Sequence, residues 1–152
     1  MHTLSIVGAI FLEAKSSSVY EDDPQYAPTF GWVGGSRTGT NLFLSKAEVD
    51  PWLQVRIEAM LLTGIVIGTS AHHPHNFQEI EVRAGMETGP LSNEVAGTFT
   101  ERGAVAGNHY VEFYRPLIVE YVTIQKKAKH VRLHVNGIKT FTSGETLMVI
   151  YI

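Results

Sequence analysis

The sequence predicts an all-β fold, a β-sandwich or jelly roll formed as a single domain over residues 1–152. Apolar and polar residues alternate with a period of two in several segments, which is typical of strands with one buried face. Glycine, proline and asparagine separate these short segments, as in sandwich domains. No long stretch combines the 3.6-residue period with the capping residues of a helix. A length of 152 residues suits one such domain.

The chain begins with an apolar run, Leu4–Leu12, that resembles the core of a signal peptide. It lacks a basic region before it and a small-residue cleavage site after it, so we interpret it as a first strand. The other predicted strands are Leu53–Ile57, Leu61–Ile67, Ile80–Ala84, Tyr110–Phe113, Tyr121–Ile124, Val131–Val135 and Leu147–Ile152. One helical turn is expected at Ser45–Glu48. The predicted loops are Tyr20–Leu44, Thr69–Phe77 and Met86–Asn108.

The composition is that of an ordinary folded protein, with 44% hydrophobic and 18% charged residues. The formal net charge of −3 gives no basic footprint for a polyanion, so nucleic-acid binding is not expected. The chain has no cysteine, which excludes disulfides, thiolate metal sites and cysteine nucleophiles.

Two conspicuous features are interpreted as structural rather than functional. The basic cluster of Lys126, Lys127, Lys129 and Arg132 is predicted to be a solvated turn rather than a phosphate- or heparin-binding patch. Trp52 follows a proline and begins an alternating strand, so we expect it in the core rather than stacked on a sugar.

Several segments, in order, resemble the galactose-binding-like sandwich shared by discoidin domains and by F-type lectins (fucolectins). The most specific is Asp50–Ile57, DPWLQVRI, which resembles the family's proline-tryptophan-tryptophan strand. The others are Ala14–Tyr20, Ala27–Gly35, Ile65–Ile67 with Glu79–Gly85, and Val119–Ile124. The resemblance runs from Ile6 to Ile138. It implies a non-catalytic module that binds a glycan or glycoprotein at its loop end, and a secreted, extracellular location.

The chain departs from this family at the sugar site. The fucolectins bind fucose with one histidine and two arginines, and the corresponding positions here hold Leu44, Ser70 and Asn76. Without the arginine donors, fucose specificity of the usual kind is not expected. The acidic positions of the family's calcium site hold Val33 and Val135, so we expect no cofactor and at most weak structural calcium.

The loop that replaces the lost site is rich in histidine. We predict a ligand pocket formed by the loops 37–46, 70–77 and 100–108. Its candidate ligand-binding residues are Arg37, Lys46, Ser70, His72, His73, His75, Asn76 and Phe77. The histidines would hydrogen-bond a ligand or water. Two alternatives stay open: a transition-metal site completed by His109 or Glu79, and a contact that responds to pH.

Sequence motifs of common catalytic sites are missing, including the nucleophile elbow, the phosphate-binding loop and the zinc-protease helix. The chain is therefore not expected to be an enzyme. Exposed apolar side chains could insert into a membrane at Trp32, Phe43 and Leu44, but we expect them to pack beneath their loop instead.

Two functions remain open. The first is a lectin-like carbohydrate-binding module with an altered pocket, and the second is a protein-interaction or adhesion module of discoidin type that has lost sugar binding. The apolar run Leu147–Ile152 either completes the sandwich or forms a homo-oligomer interface.

Overall fold

The computed structural model describes residues 4–7, 9–28, 43–69, 78–100 and 107–143. Its strands are β1 Leu4–Val7, β2 Phe11–Ser16, β3 Phe43–Leu44, β4 Trp52–Thr69, β5 Ile80–Gly85, β6 Val95–Phe99, β7 Gly107–Lys126, β8 His134–Val135 and β9 Gly137–Ser143. Two short 3₁₀ turns, Tyr20–Asp22 and Pro24–Tyr26, connect β2 toward β3. The all-β prediction is confirmed, and no helix in the described ranges is long or apolar enough to cross a membrane.

The fold is organised around β4 and β7, which pair antiparallel along almost their whole length. Along one edge β4 pairs with β7, and along the other it pairs with two strands in succession: its residues 53–57 pair with β2, and residues 64–68 pair with β9. Residues 128–136 connect the two ends of β4, because Ala128 accepts the backbone N–H of Asp50 and Asn136 donates to Gly68. The ends of this long strand are therefore close together, so the β4–β7 ribbon folds over and its two halves lie in different layers.

Local chemistry explains where this ribbon bends. The β4–β7 register shifts between Arg56 and Met60 and again between Leu62 and Gly64. Pro116 of β7 lies in this irregular part, where a missing backbone N–H donor breaks no regular ladder. Gly64 is needed for close packing, because a Cβ atom there would lie 2.7 Å from the carbonyl oxygen of Val111.

The result is a β-sandwich of two antiparallel sheets. Sheet I contains β2, the first half of β4, the second half of β7, β5 and β6, and sheet II contains β1, β9 and the other halves of β4 and β7. Apolar side chains of both sheets form one buried core. Its largest members include Leu53, Ile57, Leu62, Ile65, Ile67, Ile80, Ile124 and Ile138.

Because the ribbon folds over, both of its free ends lie at one end of the sandwich, which we call the loop end. Trp52 pairs with Gln125 there in sheet I, and Thr69 pairs with Gly107 in sheet II. An irregular antiparallel pair, residues 43–50 and 128–136, crosses between the sheets at this end. It contains the two-stranded sheet β3–β8, and we call it the end ribbon. The opposite end, where β4 and β7 turn, is the bend end.

Several boundaries differ from the predictions. The run Leu4–Leu12 divides into β1 and the start of β2. The strands predicted separately at 53–57 and 61–67 are both part of β4. Those predicted at 110–113 and 121–124 are both part of β7. Strands β6 and β9 were missed, since their glycine and threonine content hides the alternation. Of Val131–Val135 only the last two residues form a strand. Leu147–Ile152 lies outside the described residues.

Two predictions about single features were wrong, and a third holds only in part. Ser45–Glu48 forms no helical turn, because Glu48 pairs with Val131 in the end ribbon. Trp52 is only half-buried, and its neighbour Leu53 occupies the core instead. Lys126 is 6% exposed at the end of β7, so the basic cluster is solvated only beyond this residue.

Candidate functional site

The roots of all three predicted site loops lie at the loop end. Thr69, which precedes the predicted loop 70–77, pairs directly with Gly107, near the end of the predicted loop 100–108. Phe43, within the predicted loop 37–46, pairs with Val135. The next residue, Asn136, donates its backbone N–H to the carbonyl of Gly68 at 2.9 Å. The fold therefore brings the roots of these loops together beside the end ribbon.

Most of the predicted site residues cannot be placed. Arg37 and the run from Ser70 to Phe77, which contains His72, His73, His75 and Asn76, lie outside the described residues. Lys46 is described. Its side chain is about half exposed and pairs with Asp22, with 2.8 Å between Nζ and Oδ1. Lys46 therefore lies on the rim of the end ribbon.

A buried serine holds the two segments of the end ribbon together. The Ser45 side chain is fully buried, and its Oγ accepts the backbone N–H of Leu133 at 2.8 Å. The same hydroxyl donates to the carbonyl of Lys46 at 2.8 Å. Backbone hydrogen bonds from Ser45 to Leu133 and from Glu48 to Val131 continue the pairing. The relative position of residues 46–48 and 130–132 is thereby fixed.

These two segments are hydrogen-bonded neighbours, so together they form one face of an open groove on the loop end. Ala47, His130, Val131 and Arg132 line a volume of about 320 Å³. Small-molecule sites commonly occupy about 300–1,000 Å³, so the groove has room for one sugar-sized unit rather than a large ligand. His130 and Arg132 are exposed, whereas Ala47 and Val131 are half-buried and supply a small apolar floor.

The segment after β2 forms the adjoining rim. The guanidinium of Arg132 lies over the ring of Tyr20, 4.8 Å from its centroid, which is a cation–π contact. Tyr26 meets the same ring edge-on, with 5.1 Å between the centroids. Ser18 connects this rim to the end ribbon, because its Oγ donates to the Glu48 carboxylate and accepts the backbone N–H of Lys46.

The charge around Tyr20 is reflected in its pKa. A hydrogen bond to the Glu21 carboxylate, together with the negative charge of that group, raises the pKa of Tyr20 above its ordinary value, although Arg132 opposes the shift. Tyr20 is therefore neutral at physiological pH and presents an uncharged ring to the guanidinium.

The described residues do not form a metal site. In the ranges that the structure describes, no three histidine or acidic side chains are close enough together to hold an ion. Of the suggested fourth ligands, His109 lies 3.3 Å from the Thr69 hydroxyl and packs against Phe99. The carbonyl of Glu79, the other suggestion, accepts the backbone N–H of Lys127. The metal alternative for the histidine loop stays a prediction.

The sequence did not single out Tyr20, His130 or Arg132 as site residues. Their cooperation depends on the pairing of residues 43–50 with 128–136, which no local pattern shows. The one available signal was the basic cluster that includes Arg132, which we interpreted as a solvated turn.

No family model and no curated protein sequence matches this chain. Solved structures do match. The fucolectin from striped bass (Morone saxatilis) serum has a TM-score of 0.64 at 17% identity, over 85% of this chain and 46% of that chain. CpGH89CBM32-5 from Clostridium perfringens, in complex with GalNAc-β-1,3-galactose, has a TM-score of 0.67 at 8% identity. The match covers 86% of this chain and 94% of that chain. Chitosan-binding module 1 of a Paenibacillus chitosanase/glucanase has a TM-score of 0.63 at 14% identity. That match covers 86% of this chain and 94% of the module.

The chain has the galactose-binding-like fold. Lectins, discoidin-type (F5/8 type C) domains and carbohydrate-binding modules of this fold all align with it along most of its length. The chain spans somewhat less than half of the striped bass lectin chain but nearly all of the C. perfringens and Paenibacillus modules. The predicted galactose-binding-like sandwich is confirmed.

Proposed function

We propose that this chain is a non-catalytic carbohydrate-binding module whose ligand site lies at the loop end. The observation that carries the proposal is the convergence of the roots of three loops beside the end ribbon. A strand ladder joins Thr69 to Gly107, and Asn136 joins the end ribbon to Gly68. Loops supported by a rigid sandwich are where binding residues usually lie. Structures with this fold include modules solved with glycans bound.

The proposed pocket combines polar groups with an apolar surface, as sugar sites require. His72, His73, His75 and Asn76 of the loop 70–77 would supply donors and acceptors to hydroxyl groups, together with Ser70. Phe77 would cover one face of the sugar ring. Arg37 and Lys46 would complete the rim on the side of the end ribbon.

The biological setting follows from the same proposal. A glycan or glycoprotein would be the partner, and the protein would act outside the cell, where such ligands are displayed. Pairing through Leu147–Ile152 would join two copies and raise avidity for repeated glycans.

A protein-interaction or adhesion module is the second candidate. The observation that favours it is the presence of Leu44, Ser70 and Asn76 where the fucolectins have one histidine and two arginines. In that case the loop end would present a flat contact surface rather than a pocket.

A glycan array separates the two candidates. The purified chain is applied with a chelator and, separately, with divalent metal, beside the His72→Ala and His75→Ala variants. Arg115→Gln is the matched control, since Arg115 is an exposed residue near the bend end that pairs with Glu94. A glycan signal that both histidine variants lose and the control retains supports the carbohydrate site. A blank array from folded protein would reject it and favour the adhesion module.

A further inference from the structure

The acidic and the basic side chains at the groove differ in whether they have hydrogen-bond or ion-pair partners. The acidic side chains around it have partners: Asp22 pairs with Lys46, Glu48 accepts from Ser18, and Asp23 accepts from Gln25. The basic side chains that line the groove itself, His130 and Arg132, do not. In the part of the chain that the structure describes, neither His130 nor Arg132 forms a hydrogen bond or ion pair with an acidic group, and Lys129 beside them forms none either. The groups left open to a ligand are therefore the guanidinium of Arg132, the amine of Lys129 and the imidazole of His130.

The geometry of Arg132 suits an anion in particular. Its guanidinium carbon lies 4.8 Å from the centroid of the Tyr20 ring, and this contact limits the orientations of the side chain. A guanidinium held in this way can donate two parallel hydrogen bonds to a carboxylate or a sulfate. An arginine free in solvent would lose more side-chain entropy on binding the same ligand.

Neighbouring groups extend this arrangement along the groove. His130 and Arg132 lie on the same segment with Val131 between them, and all three line the groove together with Ala47. The apolar floor and the size of the groove fit a single sugar ring, and the row of donors fits a charged substituent on that ring.

We propose that the groove lined by residues 46–48 and 130–132 is a subsite for an anionic sugar unit, with Arg132 binding its carboxylate or sulfate group. The proposal rests on the carbohydrate-binding function proposed above and names the class of glycan. The groove would select for charge on one unit of the glycan.

The test uses pairs of sugars that differ only in charge. Methyl glucuronide is compared with methyl glucoside, and galactose 6-sulfate with galactose, by NMR titration of the whole chain. The variants are Arg132→Gln, which removes the charge, Arg132→Lys, which keeps the charge but loses the planar fork, and Arg115→Gln as the control. Thermal unfolding of each variant verifies that it is folded.

We expect the acidic member of at least one pair to bind about tenfold more tightly than its neutral partner. Arg132→Gln should remove that preference, and Arg132→Lys should retain part of it. Arg115→Gln should leave it unchanged. The pair that shows the preference distinguishes a carboxylate from a sulfate ligand. Equal binding of charged and neutral sugars, or equal losses for both in Arg132→Gln, overturns the anionic subsite and leaves the carbohydrate function standing. If no sugar binds in the titration or on the array, both proposals fail.

Discussion

The two ends of the sandwich are constructed in different ways. At the bend end, β4 and β7 pass from one sheet to the other without interruption, and apolar side chains such as Ile10, Leu12 and Ile118 reach the surface. At the loop end the same strands terminate. There the chain is held by polar contacts between residues far apart in sequence, such as Ser45 with Leu133 and Asp50 with Ala128.

The difference shows which interactions determine the fold and which shape the candidate site. Burial of apolar side chains between the sheets is non-directional, and many sequences satisfy it. This is consistent with the alignment of this chain to lectin modules at 8–17% identity. The hydrogen bonds of the loop end are directional and specific to this chain, so they determine the surface offered to a ligand. Substitutions at the two kinds of position should have separable effects.

The largest effect is expected for Phe43→Ala. Phe43 is fully buried and joins the end ribbon to the core. Its truncation leaves a cavity and should lower the free energy of unfolding by about 3–5 kcal/mol, as measured by urea denaturation. A loss below about 1 kcal/mol would mean that the end ribbon is not packed on the core as described.

Ser45→Ala is expected to have the next largest effect. It leaves the buried N–H of Leu133 without the hydroxyl acceptor and should cost about 1–3 kcal/mol in unfolding free energy. It should also weaken glycan binding, because the two segments that line the groove lose one of their links. Ser16→Ala is the matched control, since that hydroxyl bonds only the nearby Ser18 carbonyl. Equal losses in both variants would contradict the role of Ser45.

Lys126 provides a pH-dependent comparison. Burial lowers the pKa of Lys126 below its ordinary value, with Glu79 partly opposing the shift. The charged amine therefore costs stability while pH is below the folded-state pKa, and that cost declines as pH rises toward the unfolded-state pKa. Relative to a Lys126→Met variant, the wild type should gain unfolding free energy between pH 7 and pH 10. A difference that is constant over this range would show that Lys126 is not desolvated.

The smallest effect on stability is expected for Arg132→Gln. Arg132 is exposed, and its contact with Tyr20 is on the surface. The substitution should change the unfolding free energy by less than about 0.5–1 kcal/mol while altering the choice of ligand. If it unfolds the protein, the groove is part of the structural framework rather than a binding surface.

The fold class could be predicted because its signals are local. The alternation in Leu53–Ile57 and Ile80–Ala84 marks buried faces directly, and the proline-tryptophan segment at Asp50–Ile57 resembles a known family. The continuity of β4 through the bend could not be predicted. Residues 58–60 interrupt the pattern between the two predicted strands, although the pairing with β7 resumes at Met60 and carries the strand onward.

The candidate site could be predicted only as a region. The loop end was expected to bind the ligand, and the loop roots do meet there. The groove itself depends on Ser45, which is a short polar residue beside a predicted helical turn, and on its partner Leu133, 88 residues away. Long-range side-chain to backbone hydrogen bonds of this kind leave no periodic signal in a sequence.

Hydrogen–deuterium exchange tests the central claim that the ligand binds at the loop end. The chain is measured with and without a saturating amount of the glycan that binds most strongly on the array. We predict increased protection in residues 20–26, 44–50, 70–77 and 128–136, with no change in residues 10–16 and 113–120. Protection confined to the latter two segments would place the ligand at the bend end and contradict this account.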